Sequence, residues 1–450
     1  MRDLTIKVRN PAGERVVGEV RNETPEAVAV TASELRIFQP EWQAIGPKGR
    51  KTWLLKLRDW VLDNTEHIAE VVQSESGKTR AEALTEPIAV ADFLNYWMRN
   101  AEKFPAERYL SQPGLVAVTS KLTTVYRPYP LVGVITPRDF PFTMPALEAV
   151  PALAAGAALL LKPSKVTPLS AVEFVHGWTQ VGAPPVLALA TGDSKTGVAV
   201  IDVVDYVQFT GAKVTGRQVA ARCAERLTPF SLDLAGTGPA IVLADADLEH
   251  VANRITWGWL VNPAQVWNVN SRGGPSVSLE RVYVEAPVYD EFVAKLTGKL
   301  RVLWRGPHHR SSRPDVGASA TIARRDIVRR YVDGAVAAGD EVVTRGKQTD
   351  TGAFFEPRVL VDVEQSMSCI TGETLGPMLQ VVKVADEAEA IRLAKDSHCG
   401  NSATMWTSGK QRGQRMRRQP VARKRSRHRA GRLTHKSSPA WGEEHFDERC

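Results

Sequence analysis

Cysteine is scarce: Cys223, Cys369, Cys399 and Cys450 are the only four in 450 residues. So sparse a set argues against a disulfide scaffold, and its spacing lacks the paired pattern of a structural zinc site. The nine histidines supply no ligand spacing either. His308-His309, and His398 beside Cys399, read as ordinary surface or core residues. Long apolar runs are also missing. The longest, Ala149–Leu161, is interrupted by Pro151 and Gly156 and is shorter than the roughly 20 residues a bilayer span needs, so it reads as core. No secretory signal opens the chain, and a reducing, cytoplasmic location is the expectation.

Acidic residues are absent from one stretch. Between Lys410 and Lys436 there are twelve Lys or Arg and no Asp or Glu. The chain as a whole carries +8, from 58 basic and 50 acidic residues. Residues 410–450 hold 13 of the basic and 4 of the acidic ones, which leaves 45 against 46 in the rest. The excess therefore belongs to a tail and the body is nearly neutral. The tail shows no apolar period, and its composition argues against burial sufficient for a fold of its own.

What is present is the composition of a soluble globular chain, 43% apolar and 24% charged, long enough for two or three domains. Residues 47–78 read as one long helix, with Leu54, Leu57, Val61, Ile68 and Val72 on one face. A second helix is expected over 81–103. Residues 114–127, rich in Val and Thr, read as extended strands, a candidate hairpin. From residue 131, short apolar strands (131–136, 158–162, 206–209, 240–243, 281–284) alternate with helical segments (144–155, 167–180, 215–227, 246–258). That alternation predicts an α/β fold with a mainly parallel sheet. Helices at 286–299 and 321–339, with strands near 341–344 and 378–384, indicate a second α/β unit.

The strand ending in Phe209-Thr210-Gly211, followed by Gly216, is a strand–turn–helix with glycine punctuation. Such a turn lets the backbone approach a pyrophosphate at a helix N-terminus. An ordinary tight turn gives the same pattern, so this motif alone leaves both readings open.

It stands in a longer series. Val132–Pro141 reads VGVITPRDFP. Pro151–Gly156 and Leu161-Lys162-Pro163-Ser164 follow, then the Phe-Thr-Gly step, Leu232–Gly236 with Pro239, and Asp245–Leu248. Asn262 and Gln265 flank Pro263-Ala264, and Glu280–Val284 and Glu373–Pro377 close the series. In order and spacing these motifs resemble the NAD(P)-dependent aldehyde dehydrogenase family from about residue 25 to 409. The resemblance implies a Rossmann-like cofactor domain, an α/β catalytic domain and a strand-based oligomerisation arm. It places the dinucleotide-binding domain at 1–112 and 131–231, the arm's hairpin at 113–130 and the catalytic domain at 232–409; residues 410–450 are the basic tail that composition leaves without a fold. The resemblance also implies a mechanism. A cysteine thiolate attacks an aldehyde, an asparagine and a backbone N–H hold the oxyanion, hydride passes to the nicotinamide, and a glutamate activates water to hydrolyse the thioester.

The departures from that pattern fall on the chemistry. Counted forward from Asn262 and Gln265, the nucleophile's place holds Trp267. Counted backward from Glu280-Arg281-Val282-Tyr283, it holds Ser276. The two counts disagree, which indicates an insertion, and neither reaches a cysteine. Asp139 stands at the oxyanion asparagine, after Arg138 in place of tryptophan. A carboxylate there repels a developing alkoxide. Asp233 stands at the general-base glutamate and is one methylene shorter. Thr237 replaces a lysine.

The cofactor side departs less. Ile135-Thr136-Pro137 and Ser164 match the cofactor-facing turns, and Lys162 matches the lysine that holds the adenosine ribose. Lys165 replaces the glutamate that shares the ribose, a charge reversal compatible with a 2′-phosphate as in NADP or with simple loss. Ala212 replaces a serine after Phe209-Thr210-Gly211. Glu373 matches the glutamate that binds the nicotinamide ribose, and Leu375 replaces a phenylalanine near the ring. The cofactor is thus NAD or NADP.

Three readings follow: a working aldehyde dehydrogenase with a non-standard nucleophile, a member of the family that has lost catalysis, and a polyanion binder acting through the Arg-rich tail. The partners implied are a small aldehyde and, by family, further copies of the chain, although the arm's C-terminal strand is not recognisable. An Arg-rich run standing where structure is expected is also what translation in a shifted reading frame produces.

Overall fold

The computed structural model describes residues 4–110, 122–234, 238–260, 268–270, 274–276, 279–301, 316–318, 321–339, 341–343, 352–372, 376–396, 402–417 and 424–428. The chain forms two compact units: Met1–Val8, Val16–Val72 and Leu84–Asp233 make one, and Arg9–Arg15, Gln73–Ala83 and Leu234–Cys450 the other.

Strands β1 (Thr5–Arg9) and β2 (Val16–Arg21) pair in a two-stranded sheet and lead into helix α1 (Pro25–Ala44). Thr24 caps α1 by accepting from the Ala27 N–H, and Pro25 sits in the first turn, where its missing N–H costs nothing. The single helix expected over 47–78 is instead two, α2 (Gly46–Asp63) and α3 (Thr65–Ser76). The predicted apolar face is real, since Leu54, Leu57, Val61, Ile68 and Val72 are all buried. The break falls at Asn64, whose side-chain amide donates to the Trp60 carbonyl and competes with the helical ladder. Helix α4 (Arg80–Asn100) follows, then the antiparallel pair β3 (Arg108–Leu110) and β4 (Leu122–Thr124).

The first unit is built on a five-stranded sheet of β5 (Leu131–Ile135), β6 (Ala158–Lys162), β7 (Leu187–Leu189), β8 (Tyr206–Gly211) and β9 (Phe230–Leu234). Between them lie α5 (Thr143–Ala155), α6 (Leu169–Gln180), α7 (Ser194–Val203) and α8 (Lys213–Arg226). The order is β7-β6-β5-β8-β9, and β5 pairs in parallel with both β6 and β8. Every residue of β5 and β6 is buried, as a strand covered on both faces requires. Connections leave β5 in opposite directions, which puts the topological switch point, and with it the expected crevice, outside the carboxyl ends of β5 and β8. That is the position where open α/β sheets take ligands. The apolar run Ala149–Leu161 spans the end of α5 and all of β6 except Lys162. Gly156, at φ +105°, ends the helix in a left-handed conformation that a side chain would strain. Among the described residues no helix is long and apolar enough to cross a membrane.

The second unit carries a seven-stranded sheet. Its strands are β10 (Gly238–Val242), β13 (Leu279–Glu285), β14 (Glu341–Val342), β15 (Arg358–Val361), β16 (Met378–Val384), β17 (Ser402–Trp406) and β18 (Lys424–His428), in the order β14-β15-β16-β13-β10-β17-β18. A separate antiparallel pair, β11 (Asn268–Asn270) and β12 (Gly274–Ser276), precedes β13. Alternate residues feed two cores. Ala240, Val242, Val282, Val284 and Val381 face α9 (Leu248–Leu260) and α10 (Tyr289–Arg301). Ile241, Tyr283 and Val382 face α11 (Ile322–Ala337), the short α12 (Ser368–Thr371), α13 (Glu387–Lys395) and α14 (Lys410–Arg417).

Part of the tail expected to lack a fold is therefore structured. Helix α14 connects β17 to β18, and these two strands pair in parallel. Composition argued against this because the run contains no acid of its own. The acids come from the body: Arg412 contacts Glu387 at 2.6 Å, Glu285 at 2.8 Å and Asp245 at 3.2 Å, and Arg415 contacts Glu387 at 2.9 Å. Met416 completes the docking, fully buried in the core beneath.

Candidate active site

The carboxyl ends of β6, β5 and β8 are in register, with Ile135 opposite both Lys162 and Phe209. This brings together Ile135, Thr136, Pro137, Lys162, Ser164, Lys165, Phe209, Thr210 and Gly211, the residues to which the sequence assigned cofactor contacts. The Thr136 N–H donates to the Lys162 carbonyl at 3.1 Å, which ties the two loops at their start. The Thr136 hydroxyl is buried and makes no hydrogen bond, an orphaned polar atom at the mouth of the crevice. Ser164 accepts from the Val166 N–H at 3.2 Å and shapes its own turn.

Lys162 is only 8% exposed. Its Nζ donates to the Pro163 carbonyl at 3.0 Å. Burial pushes its ammonium down to about 8; Asp193 opposes that shift and the nearby Lys165 adds to it. Asp193 is also the N-cap of α7, accepting from Lys195 and Thr196 N–H groups. Lys165 is exposed.

Gly211 has a structural reason of its own. A Cβ there would lie 2.8 Å from the Phe209 ring, so the glycine lets that ring fold back over the strand end. Ala212 follows as the N-cap of α8 and offers no side-chain cap to the first N–H groups of that helix. Gly216 is buried in the first turn of α8. An orphaned hydroxyl, a buried ammonium and an uncapped helix start at one crevice are the donors that a dinucleotide's phosphates and sugars require, and the residues fit such a group.

The candidate catalytic residues divide between the units. Asp139 lies in the turn before α5, half-buried, with Arg138 Nε 3.7 Å from its Oδ1. The Arg138 carbonyl accepts from the Thr167 hydroxyl at 2.9 Å, which fixes this turn to the loop after β6. Phe140 takes a left-handed φ of +50°. Beyond it, the buried Glu86 carboxylate of α4 accepts from the Phe142 and Thr143 N–H groups, both at 3.0 Å, and caps α5. Asp233 is half-buried near the end of β9. Ser276 closes β12, paired with Asn268. Trp267, Thr237, Glu373, Leu375, Asn262 and Gln265 lie outside the described residues. Cys223 is buried in α8, and burial pushes its thiol up to about 11, far from a reactive thiolate.

Sequence reasoning missed one cluster. Glu148 sits in α5, 5% exposed, and accepts from the Thr210 hydroxyl at 2.7 Å. Burial pushes its carboxyl up to about 8, Thr210 opposes that rise, and the charge of Asp233 adds to it. Gln208 is close enough to lower the value slightly, but its Nε2 meets no acceptor at hydrogen-bonding geometry. Its Oε1 accepts from the Ser231 hydroxyl, which contacts the Tyr206 hydroxyl at 2.6 Å. The available signal was Glu148 itself, the single charge in the apolar helix TMPALEAVPALAA.

The sequence profile of the Aldehyde dehydrogenase family matches residues 2–422, past residue 409 where the motif resemblance ended. A protein of Mycobacterium ulcerans (strain Agy99), assigned as succinate-semialdehyde dehydrogenase (NADP(+)) 2, is 33% identical over 397 residues, covering 87% of this chain and 74% of that protein. A 4,4'-diapolycopene aldehyde oxidase of Methylomonas sp is 33% identical over 408 residues, 90% of this chain and 74% of the relative. Among solved structures, lactaldehyde dehydrogenase from Escherichia coli superposes with a TM-score of 0.88 at 28% identity, covering 96% of this chain and 89% of that one. Fold and sequence agree, and the chain belongs to the aldehyde dehydrogenase family.

Proposed function

We propose that this chain binds NADP+ in preference to NAD+, and that its conversion of an aldehyde and NAD(P)+ to a carboxylate and NAD(P)H is impaired or lost. The first unit is the dinucleotide-binding part and also carries Asp139 and Asp233, whereas Ser276 belongs to the second.

The observation that carries the loss is the Arg138–Asp139 pair. A carboxylate held 3.7 Å from a guanidinium accepts hydrogen bonds and donates none, whereas an oxyanion needs a donor. Neither place counted for the nucleophile holds a cysteine, and the buried Cys223 thiol is no substitute. A serine at 276 has no general base assigned to it.

Retention of the dinucleotide is supported by the crevice. Lys162 and the uncapped start of α8 would hold phosphate and ribose groups, with Thr136 offering its hydroxyl. When bound, the nicotinamide supplies a hydride acceptor. Lys165 adds a cation where a carboxylate would reject a 2′-phosphate, and the Mycobacterium ulcerans relative carries NADP(+) in its name. The polyanion reading is weakened because Arg412 and Arg415 are spent on Glu285, Glu387 and Asp245.

Titration calorimetry with NADP+ and NAD+ tests this reading. Saturable binding with NADP+ tighter is expected. Binding of neither overturns the dinucleotide assignment, and tighter NAD+ overturns the role of Lys165.

A further inference from the structure

We infer that Glu148, buried against the Thr210 hydroxyl with no cation beside it among the described residues, is a positioning residue that keeps its proton next to the base position at Asp233. The inference deepens the reading above, because it rests on Asp233 occupying the base position.

The geometry behind it is burial without a counter-ion. Glu148 is the sole ionisable residue in the thirteen of α5, and its neighbours along the helix are apolar. Its one firm partner is the Thr210 hydroxyl at 2.7 Å. Among the described residues, the ionisable groups that act on it are the Asp233 carboxylate of β9 and the Tyr206 phenol of β8, neither of them a cation. The charged groups on other elements around α5 are engaged elsewhere. Arg50 of α2 donates to the carbonyls of Ala154, Trp42 and Gln43 at the far end. Lys162 of β6 turns to Pro163, Glu173 of α6 contacts His67 at 3.3 Å, and His176 packs edge-on to Trp60. Glu86 of α4 caps the helix start. A carboxyl with no compensating charge among the described residues keeps its proton.

Asp233 is the more exposed of the two. The two sites are coupled. When Asp233 takes up a proton, its field on Glu148 disappears and Glu148 releases its own proton more readily. When Asp233 is ionised, Glu148 holds its proton more tightly. The base position thus changes charge beside a partner that compensates part of the change.

The sign of the stability effect follows. Glu148 binds its proton more tightly folded than unfolded, so the folded chain carries the extra proton from the ordinary carboxyl range up to about 8. This contribution is complete below that range and is lost as pH rises through it. The test is the thermal midpoint from about pH 5 to about pH 9 for wild type and Glu148→Gln, which keeps the shape of the neutral acid. The wild-type midpoint is expected to fall relative to the variant as pH rises. Asp233→Asn should move that fall to lower pH. Thr210→Val, which removes the donor favouring the anion, should move it to higher pH and replaces the first comparison if Glu148→Gln does not fold. Parallel curves for wild type and Glu148→Gln, or an unmoved fall in Thr210→Val, overturn the proton on Glu148. An unmoved fall in Asp233→Asn overturns the coupling. None of these measurements involves a dinucleotide or an aldehyde, so their failure and that of the functional reading are separable.

Discussion

Arg412 Nη2 lies 2.8 Å from Glu285 Oε1, and the same guanidinium reaches Glu387 and Asp245. This one side chain fastens a helix rich in basic residues to three carboxylates of the second unit. Burial alone would raise the Glu387 carboxyl, but Arg412 and Arg415 hold it below its ordinary range, and Arg412 helps to lower Asp245. Arg412→Ala should cost about 1–3 kcal/mol in urea unfolding, because it leaves Glu285 buried without its cation. A carboxyl lowered on folding stabilises above its ordinary pKa and loses that effect as pH falls. The gap between wild type and Arg412→Ala should therefore close in acid. A gap that is constant with pH would contradict the ion-pair account of α14.

Glu86 should prove structural. Its carboxylate accepts two N–H groups at the start of α5, where the helix dipole favours negative charge. Glu86→Ala is expected to cost about 1–2 kcal/mol in unfolding free energy, and Glu86→Gln less.

How far the sequence shows all this depends on the range of the interactions. The β5-to-β8 alternation was legible because strand period, helix period and glycine stops are local. So was the apolar face of α2 and α3, although the Asn64 amide that splits them was not read. Helix α14 was invisible because Arg412 is answered by carboxylates 25, 127 and 167 residues away. Composition counts charges within a run and cannot count partners outside it. Glu148 was hidden similarly: it reads as a lone polar residue until β8 and β9 place Thr210 and Asp233 beside it.

Dinucleotide affinity should depend on pH through Lys162. Its ammonium is lowered to about 8, so the cation proposed to face phosphate or ribose is lost as pH rises past that point. The dissociation constant for NADP+ should rise about tenfold per unit pH at most above about 8, and Lys162→Met should remove that dependence. Calorimetry across this range checks both.

The preference for NADP+ should reside in Lys165. Lys165→Glu restores a carboxylate that repels a 2′-phosphate and accepts from a ribose hydroxyl. The ratio of NADP+ to NAD+ affinity should fall by about tenfold or more, a loss of roughly 1.4 kcal/mol of discrimination. An unchanged ratio would place the preference elsewhere.

A chain proposed to hold a dinucleotide without the chemistry should separate binding from turnover. The most direct measurement is the formation of NADPH, followed by its absorbance, with saturating NADP+ and a panel of short and long aldehydes including succinate semialdehyde. With catalysis impaired or lost, turnover at or barely above the protein-free rate is expected. Clear turnover that survives a thiol-blocking reagent and disappears in Ser276→Ala would contradict that expectation and assign the nucleophile to Ser276.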